Sequence, residues 1–316
     1  MPLIVLLLLL LPGNGQEWRQ LAGKLEAVSE LPTHRFGMRD NGGRSMDCLE
    51  VFQAPNRGAI FGVYHTMKDK VFSVHLAQTK DLTEWEHVVV LDSHASQAAI
   101  HQTAEGAFMI ALEKDAPNSC WIRLLHYPHF ASLIQGKHQR FIDLPRSLAP
   151  TAEGTPSFES VSIPDGDLSQ SVIKLRFHFY ERARVDQLAY GTLTGFQDWK
   201  AEPSPRLNRE FKKLGGLGNL GDRDPFQWHG KKYYVQEIQG KAGDWGSWGI
   251  YLCDQKGSPL QKLEFKTPKK AAAFANPCVS LIRLPGRNED SMVFTAFIHR
   301  RGTHPSEAGQ MIGVIP

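Results

Sequence analysis

Three eight-residue stretches of this chain repeat one another: Gly58-Ala-Ile-Phe-Gly-Val-Tyr-His65, Gly106-Ala-Phe-Met-Ile-Ala-Leu-Glu113 and Gly230-Lys-Lys-Tyr-Tyr-Val-Gln-Glu237. Each is a turn glycine followed by an aromatic and aliphatic strand. The first two start 48 residues apart, and the 124 residues from the second to the third hold two longer units. A second element, Gln78-Thr-Lys-Asp-Leu-Thr-Glu-Trp85, recurs in form at Leu193-Thr-Gly-Phe-Gln-Asp-Trp199. Both follow a strand and end in Trp, about two units apart. Short apolar or alternating runs, broken by Gly, Pro, Asn and Asp, fill the rest, and helical periodicity is nearly absent.

Many short strands recurring with a period of about 40–60 residues read as propeller blades of four strands. Five units fit, at about 45–92, 95–145, 150–203, 216–264 and 271–316. The expected fold is therefore all-β: one five-bladed β-propeller of four-stranded antiparallel blades over residues 16–316. The last unit is a strand short, and Glu17–Leu31 is the expected donor of that strand, closing the ring and removing a free edge. The wide stretches Arg140–Gly154 and Glu202–Gly215 are expected to cover a face of the ring, not to divide it.

Leu3–Leu11 is an unbroken apolar run too short to span a bilayer, followed by the small residues Gly13 and Gly15. This is the pattern of a secretory signal peptide over residues 1–15. The mature chain would start near Gln16, free of the membrane and secreted or periplasmic, and is expected to be a monomer. A formal charge of +3 gives no case for nucleic acid. The four cysteines carry no Cys-x-x-Cys pair, which argues against zinc, and their apolar settings predict buried free thiols. Neither a Gly-x-Ser-x-Gly elbow nor a phosphate loop occurs.

The most informative stretch is Gly216–Gly240, where a Gly-rich approach ends in Asp222-Arg223-Asp224-Pro225 before the strand Tyr233–Ile238. Pro225 suits the start of a strand. Arg223 between two aspartates is expected to hold one of them charged and oriented. The segment reads either as a strand presenting acids to a pocket or as a surface turn with a structural Asp–Arg pair.

These motifs, Thr-Lys-Asp-Leu-Thr-Glu-Trp after a strand and Arg-Asp-Pro-Phe before Gly-Lys-Lys-Tyr-Tyr, resemble the five-bladed propeller glycosidases of glycoside hydrolase families 43, 32, 62 and 68. The resemblance spans about residues 45–316 and also takes in a group of secreted relatives marked by Gly-Asn-Leu-Gly-Asp-Arg-Asp and Phe-Ala-Asn-Pro. It implies a central funnel where acids at the openings of inner strands converge on carbohydrate. One acid protonates the leaving oxygen while the other activates water or attacks carbon. Carried onto this sequence, Asp47 is the base and Glu153 the acid, with Glu159 as its alternate. Asp224 assists, with Arg223 and Asp222 beside it. Blade five opens on Asn276, and blade two has Gln97 and His101 where the family places a third acid.

Further candidates for binding substrate are His101, His178, Glu237, Gln239 and Trp245. Aromatic faces can stack on sugar C–H surfaces while amides and carboxylates take hydroxyls. His229 reads as structural, Trp85 and Trp199 as core, and Trp248 as packing between blades. No cofactor is called for, although the resemblance allows a calcium ion in the funnel. Two function classes stay open: a glycoside hydrolase and a non-catalytic carbohydrate-binding propeller.

Overall fold

A computed structural model describes residues 14–55, 58–180 and 185–315. The apolar run Leu3–Leu11, read from the sequence as a signal peptide, lies outside them. Five antiparallel sheets follow one another, each strand pairing with the next in sequence. Blade one holds β1 (Asp47–Gln53), β2 (Ile60–Lys68), β3 (Val71–Thr79) and β4 (Trp85–Ser93). Blade two holds β5 (Ala95–Gln102), β6 (Phe108–Ala116), β7 (Ser119–Tyr127) and β8 (Arg140–Asp143). Blade three holds β9 (Glu153–Ser162), β10 (Val172–Tyr180), β11 (Asp186–Thr194) and β12 (Asp198–Pro203). Blade four holds β13 (Leu220–Trp228), β14 (Lys231–Gln239), β15 (Trp248–Cys253) and β16 (Pro259–Lys262), and blade five has three strands, β17 (Phe274–Ile282), β18 (Ser291–Ile298) and β19 (Gly309–Ile315). The five-bladed propeller expected from the repeat is the fold.

The core is a ring of apolar layers, one between each pair of neighbouring blades. Phe61, Val63 and Leu76 of blade one meet Ile100, Ile110 and Leu112 of blade two. Met109 and Ala111, on the other face of β6, meet Ile173, Leu175 and Phe177 of blade three. Strands β2, β6 and β14 are thus buried on both faces along most of their length, and there strict alternation gives way to continuous buried runs. Strand β10 keeps an alternating pattern, with Lys174 and Tyr180 exposed.

The gap in blade five is closed differently from the expectation. Residues Asn14–Glu26 form a helix, α1, not a strand. Its apolar positions Trp18, Leu21, Ala22 and Leu25 fall on one face at helical spacing. Leu21, Ala22 and Leu25 are buried with Phe226, Val235, Phe294 and Ile315 across blades four and five. The free edge of β19 is met further along, where the backbones of Arg35 and Ile312 exchange hydrogen bonds of 2.8 and 3.0 Å and Met38 N–H donates to Gln310 O at 3.1 Å.

A short helix, α2 (Phe130–Ile134), follows β7. The stretch expected to cover a face between blades three and four contains α3 (Pro205–Lys213), opened by a proline whose missing N–H costs nothing at that position. Its Leu207 and Phe211 bury against Leu188, Tyr234 and Cys253. All four cysteines are free; Cys48, Cys253 and Cys278 are buried and Cys120 is half-buried.

Trp199 begins the outer strand of blade three and lies flat on Gly191 of β11; a Cβ there would come 2.3 Å from the indole. Gly191→Ala is expected to destabilise the protein by about 1–3 kcal/mol through overpacking. Denaturant unfolding checks it, and an unchanged midpoint would show that the indole shifts freely.

Candidate functional site

All five inner strands break register just after they open, between Asp47 and Glu50, Ser96 and Ala99, Gly154 and Ser157, Leu220 and Arg223, and Ala275 and Cys278. At four of these bulges a non-glycine residue takes left-handed φ: Cys48 (53°), Gln97 (49°), Thr155 (46°) and Asn276 (48°). Such conformations are unfavourable and persist only where the surroundings fix them.

At three of them the second strand of the preceding blade does so. Gln97 N–H donates to His65 Nδ1 at 3.2 Å, Thr155 N–H to Glu113 Oε2 at 2.9 Å, and Asn276 N–H to Glu237 Oε2 at 2.5 Å. His65, Glu113 and Glu237 are the eighth residues of the three repeated stretches. Each pins the next blade's inner strand and faces the central cavity. The backbone comes so close that a Cβ at Gly154 would meet Glu113 Oε2 at 1.8 Å, and one at Gly221 would meet Glu237 Oε1 at 1.9 Å. His178 holds the corresponding place in blade three, and its buried Nδ1 has no partner.

The cavity at the ring centre has a volume of about 440 Å³, in the range of small-ligand sites. Asp47, Glu113, Asp186 and Glu237 bring carboxylates to it from four blades, and Gln97, His178 and Asn276 add amide and imidazole groups. Trp245 (53 % exposed) and Trp248 also line it, with His299 5.2 Å from the first ring. Gln97 Oε1 accepts from Asn276 Nδ2 at 2.9 Å and from Cys48 Sγ at 3.0 Å, linking blades two, five and one.

Glu237, Glu113 and Asp47 differ in their fixation. Glu237 accepts two backbone N–H groups, from Asp222 at 2.7 Å and from Asn276. Burial pushes its pKa up; these two amides and the nearby His178 oppose that. Burial also raises Glu113, opposed mainly by His178, and the amide of Thr155 holds one of its oxygens. Burial raises Asp47, while the Ser45 hydroxyl and the guanidiniums of Arg39 and Arg300 favour its ionised form. Burial drives His65 down to about 4, so its ring is neutral; with Nδ1 accepting, the proton sits on Nε2.

Below the cavity a narrow axial void is lined by Glu50, Asp222 and Asp224. Glu50 Oε2 accepts from Ile100 N–H at 3.1 Å and Asp224 Oδ2 from Val279 N–H at 2.7 Å, each clamping the next blade. Burial raises Asp224 to about 7. Burial and mutual repulsion push Glu50 and Asp222 well above the usual carboxylate range. Among the described residues, no group of three or more His, Cys, Asp or Glu side chains is arranged to hold a metal ion, calcium included.

The sequence-derived site thus separates. Asp47, His178, Glu237, Trp245 and Asn276 line the cavity. Asp222 and Asp224 line the void beneath it. The Arg223 guanidinium does not hold the flanking aspartates: strand alternation turns it away, to lie buried 4.3 Å over the Tyr234 ring with Nη2 3.4 Å from Gly257 O, and only its backbone N–H donates to Asp222 Oδ1, at 2.7 Å. Glu153 is buried away from the cavity, its Oε1 accepting from Leu148 N–H at 2.5 Å and Ala149 N–H at 3.1 Å. Glu159 pairs with Arg176 at 3.0 Å and Lys232 at 2.6 Å, and with Tyr234 these hold it ionised at about 2, against its burial. His101 packs on Phe158 at 5.8 Å, and Gln239 holds the Asn219 and Asp244 backbones. Glu113 and His65 are cavity residues that motif reading passed over, although both end a repeated stretch. Trp248, expected between blades, is buried and also reaches the cavity.

A second space of about 430 Å³ beside the Thr79–Trp85 turn has no comparable chemistry. Its Asp81 carboxylate is taken by the amides of Thr83 and Glu84.

No family model matches the chain, and no curated protein matches it. Solved structures do. A glycoside hydrolase superposes with a TM-score of 0.60 at 9% identity, over 94% of this chain and 95% of its own. A thermostable family-43 glycoside hydrolase gives 0.55 at 11% identity, over 88% and 91%. A Bombyx mori family-32 β-fructofuranosidase gives 0.50 at 11% identity, over 95% of this chain and 66% of that one. At such identities the likeness is one of architecture, and architecture alone does not fix an activity. This chain has the five-bladed β-propeller fold of the family-43 and family-32 glycosidases.

Proposed function

We propose that the protein hydrolyses a glycosidic bond in its central cavity, with Asp47 as base and Glu113, in place of Glu153, as acid. The observation that carries this reading is the meeting of Asp47, Glu113 and Glu237, from three blades, in one cavity with an aromatic rim. Glycoside hydrolysis needs one neutral and one ionised carboxyl across the bond. Burial favours the protonated form of Glu113, suiting it to donate a proton to the leaving oxygen. Burial raises Asp47 too, but the Ser45 hydroxyl and the guanidiniums of Arg39 and Arg300 work against that rise, suiting Asp47 better than Glu113 to take a proton from water or to attack carbon directly. Glu237, its two oxygens held by separate backbone amides, is fixed in place. It would stabilise positive charge developing at the anomeric carbon. The neutral His65 and unpaired His178 Nδ1 are suited to sugar hydroxyls. The leader-like run Leu3–Leu11 supports action outside the cytoplasm, on an extracellular or periplasmic glycan.

The test is a screen of the purified chain on aryl glycosides and polysaccharides beside Asp47→Asn. A loss of about 10²–10⁴-fold in kcat is expected for the variant. Equal turnover by both proteins would remove the assignment. Saturable glycan binding with no turnover by the unaltered protein would establish the carbohydrate-binding reading. That reading has support of its own, since Gln97 stands where an acid opens the second blade of the glycosidases it resembles.

A further inference from the structure

A side pocket opens beside the central cavity where blades one and five meet. Its volume of about 190 Å³ is far above what one water needs, and Arg39, Ser45, Asp47, Phe297 and Arg300 line it. Asp47 and Phe297 belong to both spaces, so a group bound in the pocket lies beside the carboxylate that the proposed hydrolysis uses. Arg39 precedes β1, paired in an isolated bridge with Ser45, and its Nη1 donates to Gly43 O at 2.7 Å. That contact steadies the guanidinium, and among the described residues its other donors have no hydrogen-bond partner. Arg300 lies just beyond the end of β18.

Both arginines act on Asp47 through space, yet neither forms a salt bridge with any carboxylate among the described residues. Two guanidiniums therefore share the pocket with one carboxylate, leaving a positive balance. Guanidinium groups present planar pairs of donors that match carboxylate and sulfate oxygens. Neutral sugar hydroxyls need no such charge.

We propose that this side pocket binds an anionic substituent of the substrate, a sugar carboxylate or a sulfate ester, on Arg39 and Arg300. The pocket's place next to the cleaved bond rests on the hydrolase reading; the binding itself does not. The substrate class is then an acidic glycan with its charge on or next to the sugar at Asp47.

Calorimetric titration tests this with D-glucuronate, D-galacturonate and glucose 6-sulfate against D-glucose and D-galactose. The proteins compared are the unaltered chain, Arg39→Gln, Arg300→Gln, the double variant, and Arg209→Gln, which removes the same charge from exposed α3. At least one acidic sugar is expected to bind about tenfold more tightly than its neutral counterpart, with the margin shrinking as salt rises. Each single variant is expected to reduce the preference and the double variant to erase it, while Arg209→Gln keeps it. Preference for uronate over sulfate, or the reverse, identifies the anion. Equal or absent binding of acidic and neutral sugars, or a preference that survives in the single variants, overturns the inference. Should the double variant not fold, the single variants and the salt titration decide. A protein that prefers acidic sugars but hydrolyses none keeps this inference and removes the hydrolase reading. Hydrolysis of neutral glycosides at rates unaffected by Arg39→Gln and Arg300→Gln does the opposite.

Discussion

Glu113→Gln is expected to lower kcat by about 10²–10⁴-fold on glycosides with poor leaving groups, the range typical of a lost general acid. The loss should be much smaller on dinitrophenyl glycosides, whose leaving group departs without a proton. That contrast separates a proton donor from a residue that only shapes the site, because a misshapen cavity would slow both substrates alike. The pH profile gives a second reading. Glu113 must be protonated to act, and burial raises it, so the alkaline limb of kcat/KM should lie above the ordinary carboxylate range. In Glu113→Gln that limb should vanish, leaving the acidic limb set by protonation of Asp47. Glutamine keeps an oxygen for the Thr155 amide, so the clamp on blade three survives and thermal unfolding should change little. Equal losses on the two leaving groups would remove Glu113 from the acid role.

The axial carboxylates should make the protein more stable in mild acid than in mild base. Asp224 ionises near 3.8 in an unfolded chain and at about 7 in the folded one. Between those values the native state holds a proton that the unfolded state has released. Stability from this group is therefore greatest below pH ~4 and falls as pH rises through ~7. A shift of about three units corresponds to roughly 4 kcal/mol at most. Glu50 is raised by the same burial and by Asp224, and Asp222 by burial, Glu237 and Asp224, so they act in the same direction. Asp224→Asn keeps an oxygen for Val279 N–H and removes the charge. It is expected to raise stability at pH 8 by a few kcal/mol, to leave it nearly unchanged at pH 4, and so to flatten the profile. Denaturant midpoints across this range measure the effect. A wild-type midpoint that rises from pH 5 to pH 8 with no change in Asp224→Asn would show that the trio shares its charge with solvent.

The interblade layers explain how much of the architecture was legible. The glycine-led strands at 58, 106 and 230 mark the second strands of blades one, two and four, and the Trp85 and Trp199 elements open outer strands. Their spacing alone counts the blades. The helix α1 was missed because its apolar positions 18, 21, 22 and 25 were read as a strand to complete the fifth blade. The lock at Arg35 and Met38 is made by backbone groups and leaves no side-chain signature.

In the site, Asp47 and Asn276 are legible because each opens the inner strand of a blade, and Glu237 because its carboxylate stands beside an amide and a tryptophan suited to sugar. The Gly-Thr-Pro setting singles out Glu153, yet its carboxylate is buried and held by two loop amides. Glu113 was visible in print as the end of a repeated stretch, but its neighbours read as strand core, so its acid drew no notice.

Sequence by itself settled the period and the number of blades, because these are written in the local order of turn residues and apolar side chains. Which carboxylates share a cavity was decided only by the tertiary structure. Asp47, Glu113 and Glu237 lie far apart along the chain and meet only through ring closure and the five register breaks. A one-residue change of pairing turns a side chain from the axis to an interblade layer, which is the difference between Asp224 and its neighbour Arg223.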